Sequence, residues 1–113
     1  MRQRHLLGEV EQLVLLAILR LGDGAYAVPI RSEIHQQAGV ELSRGSIYVT
    51  LDRLERKGLV ASWFDEPTPE PGGKAKRCYR ISRDGVAALR ATRRMIDNLQ
   101  AGTVLAPKTR GSR

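Results

Sequence analysis

One stretch of this sequence, residues 43–81, combines a helix pattern, a strand pattern, a basic loop and a second strand pattern without interruption. In its helical part, Ile47, Leu51 and Leu54 recur at the spacing of one helix face, which predicts a helix buried on one side. Such a helix can present its other side to the major groove of DNA. The order of elements is therefore typical of a winged helix-turn-helix.

The polar side of this helix carries the candidate DNA contacts. Five residues are predicted to lie off the apolar face: Arg44, Ser46, Tyr48, Thr50 and Arg53. Arginine can pair bidentately with guanine, serine and threonine can bond base edges or phosphates, and tyrosine can bond a phosphate. Ser43 fits the N-cap of the helix and is counted with this set. The alternative is an ordinary amphipathic helix whose polar side faces only water.

The wing is predicted from the two strands and the loop that joins them. Residues 59–64 and 77–81 are rich in strand-compatible residues, whereas residues 65–76 contain three prolines and two adjacent glycines. Lys74, Lys76 and Arg77 lie at or beside the tip and suit phosphates or a minor groove. A charged loop is usually only solvated, but its position one strand after a polar-faced helix favours a contact.

Helices are predicted on both sides of this unit. Residues 9–21 repeat apolar side chains at three- and four-residue spacing and predict the central core helix. Pro29 suits the first turn of a short second helix that continues to Gly39. Ser82 is the predicted cap of a last helix that runs from Arg83 to about Gln100.

The last helix has an apolar seam with too little of its own domain left to cover it. The seam consists of Val86, Leu89, Ile96 and Leu99, with Met95 beside it. We expect a second subunit to pack there. The predicted organisation is a winged helix-turn-helix over residues 1–81, a dimerisation helix over 82–101 and a flexible basic tail over 102–113.

The composition agrees with one small, mainly α-helical domain that carries an antiparallel β-hairpin. Of the 113 residues, 42% are hydrophobic and only 4% aromatic, so the core must consist mostly of aliphatic side chains from packed helices. The net charge of +7 is uneven: residues 1–70 hold 8 Lys/Arg against 10 Asp/Glu, and residues 71–113 hold 11 against 2. A positive field over the wing and tail suits a polyanion partner.

Other classes of protein are not supported by the sequence. The apolar run 13–21 is far shorter than the ~20 residues of a membrane span, and Arg20 interrupts it. The N-terminus lacks the features of a secretory signal. The lone Cys78 cannot form an internal disulfide, which agrees with a cytoplasmic location.

No metal site, cofactor site or catalytic motif is predicted. His5, His35 and Cys78 are the only histidines and cysteine, and no two of them have a recognised zinc spacing. Ser43 and Ser46 have no histidine and carboxylate in a recognisable motif, and residues 72–74 lack the full spacing of a P-loop. We therefore do not expect an enzyme.

Trp63 and Phe64 are candidates for an effector pocket, because an aromatic plate near a dimer cleft can bind flat apolar compounds. The alternative is that both pack in the core against the last helix.

The chain resembles the PadR family of bacterial winged-helix transcriptional regulators, and in particular its branch with a short C-terminal region. The resemblance covers roughly residues 6–91. The matching segments are residues 7–17, 25–26, 30–31, 33–34, 45–60 and 71–81.

This resemblance implies a homodimer that binds a two-fold related operator in double-stranded DNA, usually as a repressor released by an effector. It places Ser46, Tyr48 and Thr50 on the DNA-facing helix and Lys74, Lys76 and Arg77 in the wing. Pro29 stands where the family more often has an ordinary helix former, so we expect the second helix to start later here. The alternative function is a winged-helix module that binds an acidic protein surface through its basic wing.

Overall fold

The computed structural model describes residues 6–65 and 75–105. Lys74 lies outside them, as do the predicted tip of the wing and most of the predicted tail. The elements in chain order are α1 (Glu9–Leu21), a 3-10 turn (Gly22–Gly24), α2 (Ala27–Ala38), α3 (Arg44–Arg56), β1 (Val60–Phe64), β2 (Arg77–Ile81) and α4 (Arg83–Gln100). This mainly helical architecture with one hairpin confirms the predicted fold class.

Side-chain caps fix the start of two helices where the sequence predicts them. Ser43 Oγ accepts a hydrogen bond from Ser46 N at 3.0 Å, and Ser82 Oγ accepts one from Gly85 N at 3.0 Å. Both hydroxyls satisfy amide groups that the first helical turn leaves without a partner. The predicted bounds of α1 and α4 are also confirmed.

The expected late start of the second helix is wrong. α2 begins at Ala27, two residues before Pro29. The proline therefore lies in the first turn, where its missing amide hydrogen leaves no helical hydrogen bond unmade. The start of α2 is set by the chain that precedes it, because Tyr26 is already extended and forms a β-bridge with Cys78.

The hairpin pairs β1 and β2 in antiparallel register, from Val60 opposite Ile81 to Phe64 opposite Arg77. Gly58, with a φ of 76°, makes the left-handed step between α3 and β1. Tyr79 N donates to Ala25 O at 2.7 Å, which attaches the inner edge of the hairpin to the start of α2. The wing base is thereby held against the helices.

The core lies around α1. Val14, Leu15 and Ile18 of this helix are essentially inaccessible, and they pack with buried side chains of every other helix and of both strands. The cluster is aliphatic apart from Tyr79, as the low aromatic content requires. No helix within residues 6–65 and 75–105 is long and apolar enough to cross a membrane.

The apolar seam of α4 divides into two parts. Leu89 and Thr92 are buried in the protomer, and Thr92 Oγ1 accepts a hydrogen bond from Leu7 N at 3.2 Å. Leu89 is therefore committed to the core of its own chain, and its assignment to a dimer contact is wrong. Ile96 and Leu99, by contrast, are exposed, and Leu99 is 83% accessible.

Candidate nucleic-acid interface

The outer side of α3 presents three of the predicted side chains to solvent. Arg44 and Arg53 are exposed, and Tyr48 is 54% accessible although it belongs to an apolar-faced helix. Ile47, Leu51 and Leu54 fill the opposite side and hold the helix against the core. The predicted division of α3 into a buried side and a polar side is confirmed for these residues.

The position predicted for Thr50 is wrong. Thr50 is only 4% accessible, and its hydroxyl donates to Ser46 O at 2.8 Å within the helix. The reason lies in the helical repeat: Thr50 follows Ile47 by three residues and precedes Leu54 by four, so it shares their face. Its side chain is not available to a base or a phosphate in this structure.

Ser43 and Ser46 form the N-terminal end of the same surface. The Ser43 hydroxyl is engaged as an acceptor in the N-cap, and Ser46 is partly exposed. A capping hydroxyl keeps its own hydrogen, so Ser43 can still donate outward. The unpaired amides of a helical first turn also favour an anion near this end.

Arg77 is held between the wing and α3. Its Nη2 donates to Glu55 Oε1 at 2.7 Å and its Nε donates to Ser62 Oγ at 3.1 Å, while Ser62 Oγ donates to Glu55 Oε2 at 2.7 Å. Its guanidinium also lies 5.8 Å from the ring centre of Tyr79. The three hydrogen bonds among Arg77, Ser62 and Glu55 connect the wing to α3, and we call this arrangement the joint between the wing and α3.

Lys76 is exposed and rests on Tyr26. Its Nζ lies 4.6 Å from the centre of the Tyr26 ring and 3.4 Å from the phenolic oxygen. A cation over an aromatic face gains a modest attraction but remains accessible to solvent. Lys76 therefore offers a positioned positive charge beside the N-terminus of α2.

A groove of about 390 Å³ runs between α2 and α3. Arg31, His35 and Arg44 line it, with Tyr48 at one side. Arg31 Nε donates to Leu42 O, and this bond fixes the turn that joins the two helices. The groove extends the polar surface of α3 onto α2.

Within residues 6–65 and 75–105 of one protomer, Trp63 and Phe64 do not face a common pocket. Trp63 and Phe64 are consecutive in β1, so their side chains point to opposite faces of the hairpin. Trp63 carries Arg80 over its ring at 5.1 Å, whereas Phe64 is exposed beside Arg77. The alternative that both residues pack in the core against the last helix is wrong for Phe64, which is exposed, whereas Trp63 is partly buried.

Cys78 is buried in the hairpin, and burial raises the pKa of its thiol. A raised thiol pKa lowers the fraction of reactive thiolate at neutral pH. Within residues 6–65 and 75–105, no three His, Cys, Asp or Glu side chains are grouped so that they can hold a metal ion.

Three residues of this surface are absent from the predicted set: Tyr26, Val49 and Glu55. Val49 is exposed on α3, and the helical repeat alone places it opposite Ile47 and Leu54. Tyr26 and Glu55 depend on contacts across 50 and 22 residues of sequence, with Lys76 and Arg77 respectively. Local patterns contain no signal for such pairs.

The profile of the family described as "Transcriptional regulator PadR-like family" matches residues 15–91 of the chain. The match includes α2, α3, both strands and the first half of α4.

A curated transcriptional regulator of Mycobacterium tuberculosis is 39% identical over 61 residues, which are 54% of this chain and 53% of that protein. The chain thus matches about half the length of this relative. A solved PadR family regulator of Eggerthella lenta has a TM-score of 0.66 at 25% identity and covers 88% of each chain. A solved transcriptional regulator of Clostridium thermocellum has a TM-score of 0.68 at 20% identity, covering 80% of this chain and 85% of that one.

Proposed function

The chain belongs to the PadR-like family of transcriptional regulators, and from this premise we propose that it is a dimeric repressor that binds a specific operator in double-stranded DNA. α3 lies in the major groove, and the wing contacts the adjacent backbone. The repressor acts in the cytoplasm and leaves its operator when a small aromatic or hydrophobic effector binds.

The observation that carries this proposal is the joint between α3 and the wing. Arg77 ties β2 to Glu55 of α3, and Lys76 rests on Tyr26 at the start of α2. α2, α3 and the wing base therefore form one fixed surface rather than separate polar elements. A preformed surface docks on a duplex without losing the conformational entropy of ordering its parts.

The distribution of charge indicates different roles for α3 and the wing in DNA binding. α3 is nearly balanced, with Asp52 and Glu55 among Arg44, Arg53 and Arg56. The excess of positive charge lies in residues 71–113. Base reading therefore belongs mainly to α3, and the salt-dependent attraction to phosphates belongs mainly to the wing and the residues after it.

Dimerisation is proposed from the exposed end of α4. Ile96 and Leu99 are accessible apolar side chains on a helix whose first half is already packed, and a second copy would remove them from water. A two-fold dimer carries two α3 helices and so reads two related half-sites. The effector would bind where the two copies meet, with Trp63 as its aromatic wall.

A gel-shift with the DNA upstream of the chain's own gene tests the proposed function. At about 150 mM salt, where non-specific binding is weak, we expect sequence-specific retardation. Tyr48→Ala should weaken this complex without unfolding the protein. Lys76→Ala should weaken binding to all sequences and reduce the salt slope by about 0.9, the value for one lost phosphate contact.

Only salt-labile smearing, with both variants indistinguishable from the native chain, would contradict the proposal. That outcome would favour the alternative of a winged helix that binds an acidic protein surface. Quenching of the fluorescence of the single tryptophan by candidate aromatic compounds tests the effector, and an unresponsive signal argues against a site at Trp63.

A further inference from the structure

We propose that Val49 reads the 5-methyl group of a thymine in the operator, and that Gly45, one turn earlier on α3, allows the helix to approach the groove closely enough for this contact. The inference rests on the proposed DNA-binding function. It names a base class that the bound site must contain.

The exposure of Val49 is the first observation. Val49 is 55% accessible, although a valine stabilises a helix less than most residues and here buries little surface in return. Ile47, Thr50, Leu51 and Leu54 mark the buried side of α3, and Val49 lies nearly opposite their centre. Its side chain therefore points away from the core, on the side of α3 that would face a DNA groove.

Gly45 is the second observation, and it is independent of the first. A Cβ built at Gly45 would have Ser43 Oγ as its nearest neighbour, at an ordinary van der Waals distance of 3.9 Å. An alanine would therefore fit, and alanine favours a helix more than glycine does. Gly85 of α4 is different, because a Cβ there would collide with the Leu59 carbonyl oxygen. Packing therefore requires a glycine at position 85, whereas it would allow an alanine at position 45.

Gly45 and Val49 lie on the same side of α3. Residues 45 and 49 are four apart and so follow each other along the same side of the helix. A bare backbone followed by a branched apolar side chain suits close contact with a surface that offers a methyl group. In the major groove, the thymine 5-methyl is the apolar feature of the base edges, whereas the other groups donate or accept hydrogen bonds.

The test starts from a DNA sequence selected by the full chain from a pool of randomised 30-base-pair duplexes. Each thymine of the enriched site is then replaced in turn by uracil, which removes only the 5-methyl group. We expect one thymine per half-site to be sensitive, with affinity falling roughly fourfold, the value of ~0.8 kcal/mol for one buried methyl-sized group.

Val49→Ala supplies the decisive comparison. It should weaken binding to the thymine site by a similar factor and should bind the thymine and uracil sites equally, because the partner of the methyl group is gone. Val28→Ala is the matched control, since Val28 is a similarly exposed valine that lies on α2, in the groove beside α3, and not on the side of α3 that carries Val49. In this control the uracil effect should keep its full size.

Gly45→Ala gives a second readout in which stability and binding move in opposite directions. The variant should unfold at a higher temperature yet bind the selected site at least threefold more weakly. A variant that is more stable and binds equally well would overturn the role of Gly45.

The possible failures can be told apart. If no sequence is enriched from the pool, the proposed function fails. If a site is enriched but every uracil effect is the same in the native chain and in Val49→Ala, the function stands and the reading by Val49 is overturned.

Discussion

Arg77 of β2 and Glu55 of α3 form an ion pair of 2.7 Å between the wing and the helix that carries the candidate base contacts. Ser62 of β1 closes the arrangement by bonding both partners. The guanidinium of Arg77 could either contact a DNA phosphate or hold the wing against α3. In this structure it holds the wing against α3.

Glu55→Gln should release Arg77 from its ion pair and make DNA binding less sequence-specific. The ion pair is partly exposed, so its loss should lower the free energy of unfolding by no more than about 1 kcal/mol. A freed guanidinium can neutralise one further phosphate, which steepens the salt dependence by about 0.9. We expect higher affinity for random duplex DNA and a smaller ratio of specific to non-specific binding, measured by fluorescence anisotropy against salt concentration.

Asp52→Asn is the control for charge. It removes a carboxylate from the same helix, and Asp52 pairs with Arg56 at 3.5 Å on an exposed surface rather than with the wing. If the two variants change specificity and salt slope equally, the effect comes from net charge alone and the contact between Arg77 and Glu55 does not contribute to specificity.

Features that depend on residues within one helical turn can be predicted from the sequence, whereas contacts between residues far apart in the chain cannot. The sequence predicts Ser43 and Ser82 as caps, and the structure has them there, because an N-cap depends on residues within one helical turn. The polarity of Thr50 predicts an outward position, whereas the helical repeat puts it on the buried side, where the structure has it. A buried threonine is tolerated because its hydroxyl bonds Ser46 O.

The roles of Arg77 and Leu89 could not be read locally. The charge of Arg77 predicts a phosphate contact, but Glu55 is brought to it only by the hairpin. Leu89 belongs to a periodic apolar seam, and periodicity does not say which part of the seam its own chain covers. The packing of α4 against α1 and β2 decides this, and it covers the first half of the helix.

Glu11 is expected to make stability depend on pH. This carboxylate is buried and accepts hydrogen bonds from Lys57 Nζ at 2.8 Å and Gly8 N at 2.9 Å. Burial alone would raise the pKa of Glu11, but these bonds and the charges of Lys57 and Arg53 together hold it below its ordinary value of 4.5. The ion pair thus stabilises the folded chain above about pH 4.5, and this contribution is lost as the pH falls through the lowered pKa.

Glu11→Gln should therefore lower the free energy of unfolding by about 1–2 kcal/mol at pH 7, because a hydrogen-bonded charge is lost while Lys57 can return to water. The difference from the native chain should shrink steadily as the pH falls below 4.5, as urea titrations at several pH values will measure. Glu9→Gln removes an exposed carboxylate from the same turn and serves as the control. A difference that does not change with pH would exclude the ionised pair as its cause.

Gly85→Ala should destabilise the junction between the wing and α4. The added Cβ would collide with the Leu59 carbonyl oxygen and lie 2.7 Å from Ile81 Cγ1, and backbone atoms cannot move aside as a flexible side chain can. We expect a loss of about 1–3 kcal/mol in the free energy of unfolding, the usual effect of overpacking. Urea denaturation followed by circular dichroism measures it, and an unfolding curve like that of the native chain would mean that α4 shifts without cost.

Leu99→Glu is the sharpest test of the proposed dimer, because Leu99 is 83% accessible in the protomer and contributes little to its core. A carboxylate there should leave the helical signal unchanged but halve the mass in sedimentation, since an unpaired charge cannot be buried against a second copy. Affinity for a duplex with two half-sites should fall at least about 100-fold, because avidity between linked sites is lost. Binding to a single half-site should not change.

Two variants make this result specific. Leu105→Glu adds the same charge at an accessible leucine beyond the end of α4 and should keep the native mass. Leu89→Ala removes a buried side chain and should lower the free energy of unfolding by about 2–5 kcal/mol. A native chain that sediments as a monomer, or a Leu99→Glu variant that keeps the dimer mass, would contradict dimerisation through this end of α4. If the dimer does form through α4, the spacing of the two half-sites depends on where along α4 the two copies meet, since α4 follows β2 with only Ser82 between them.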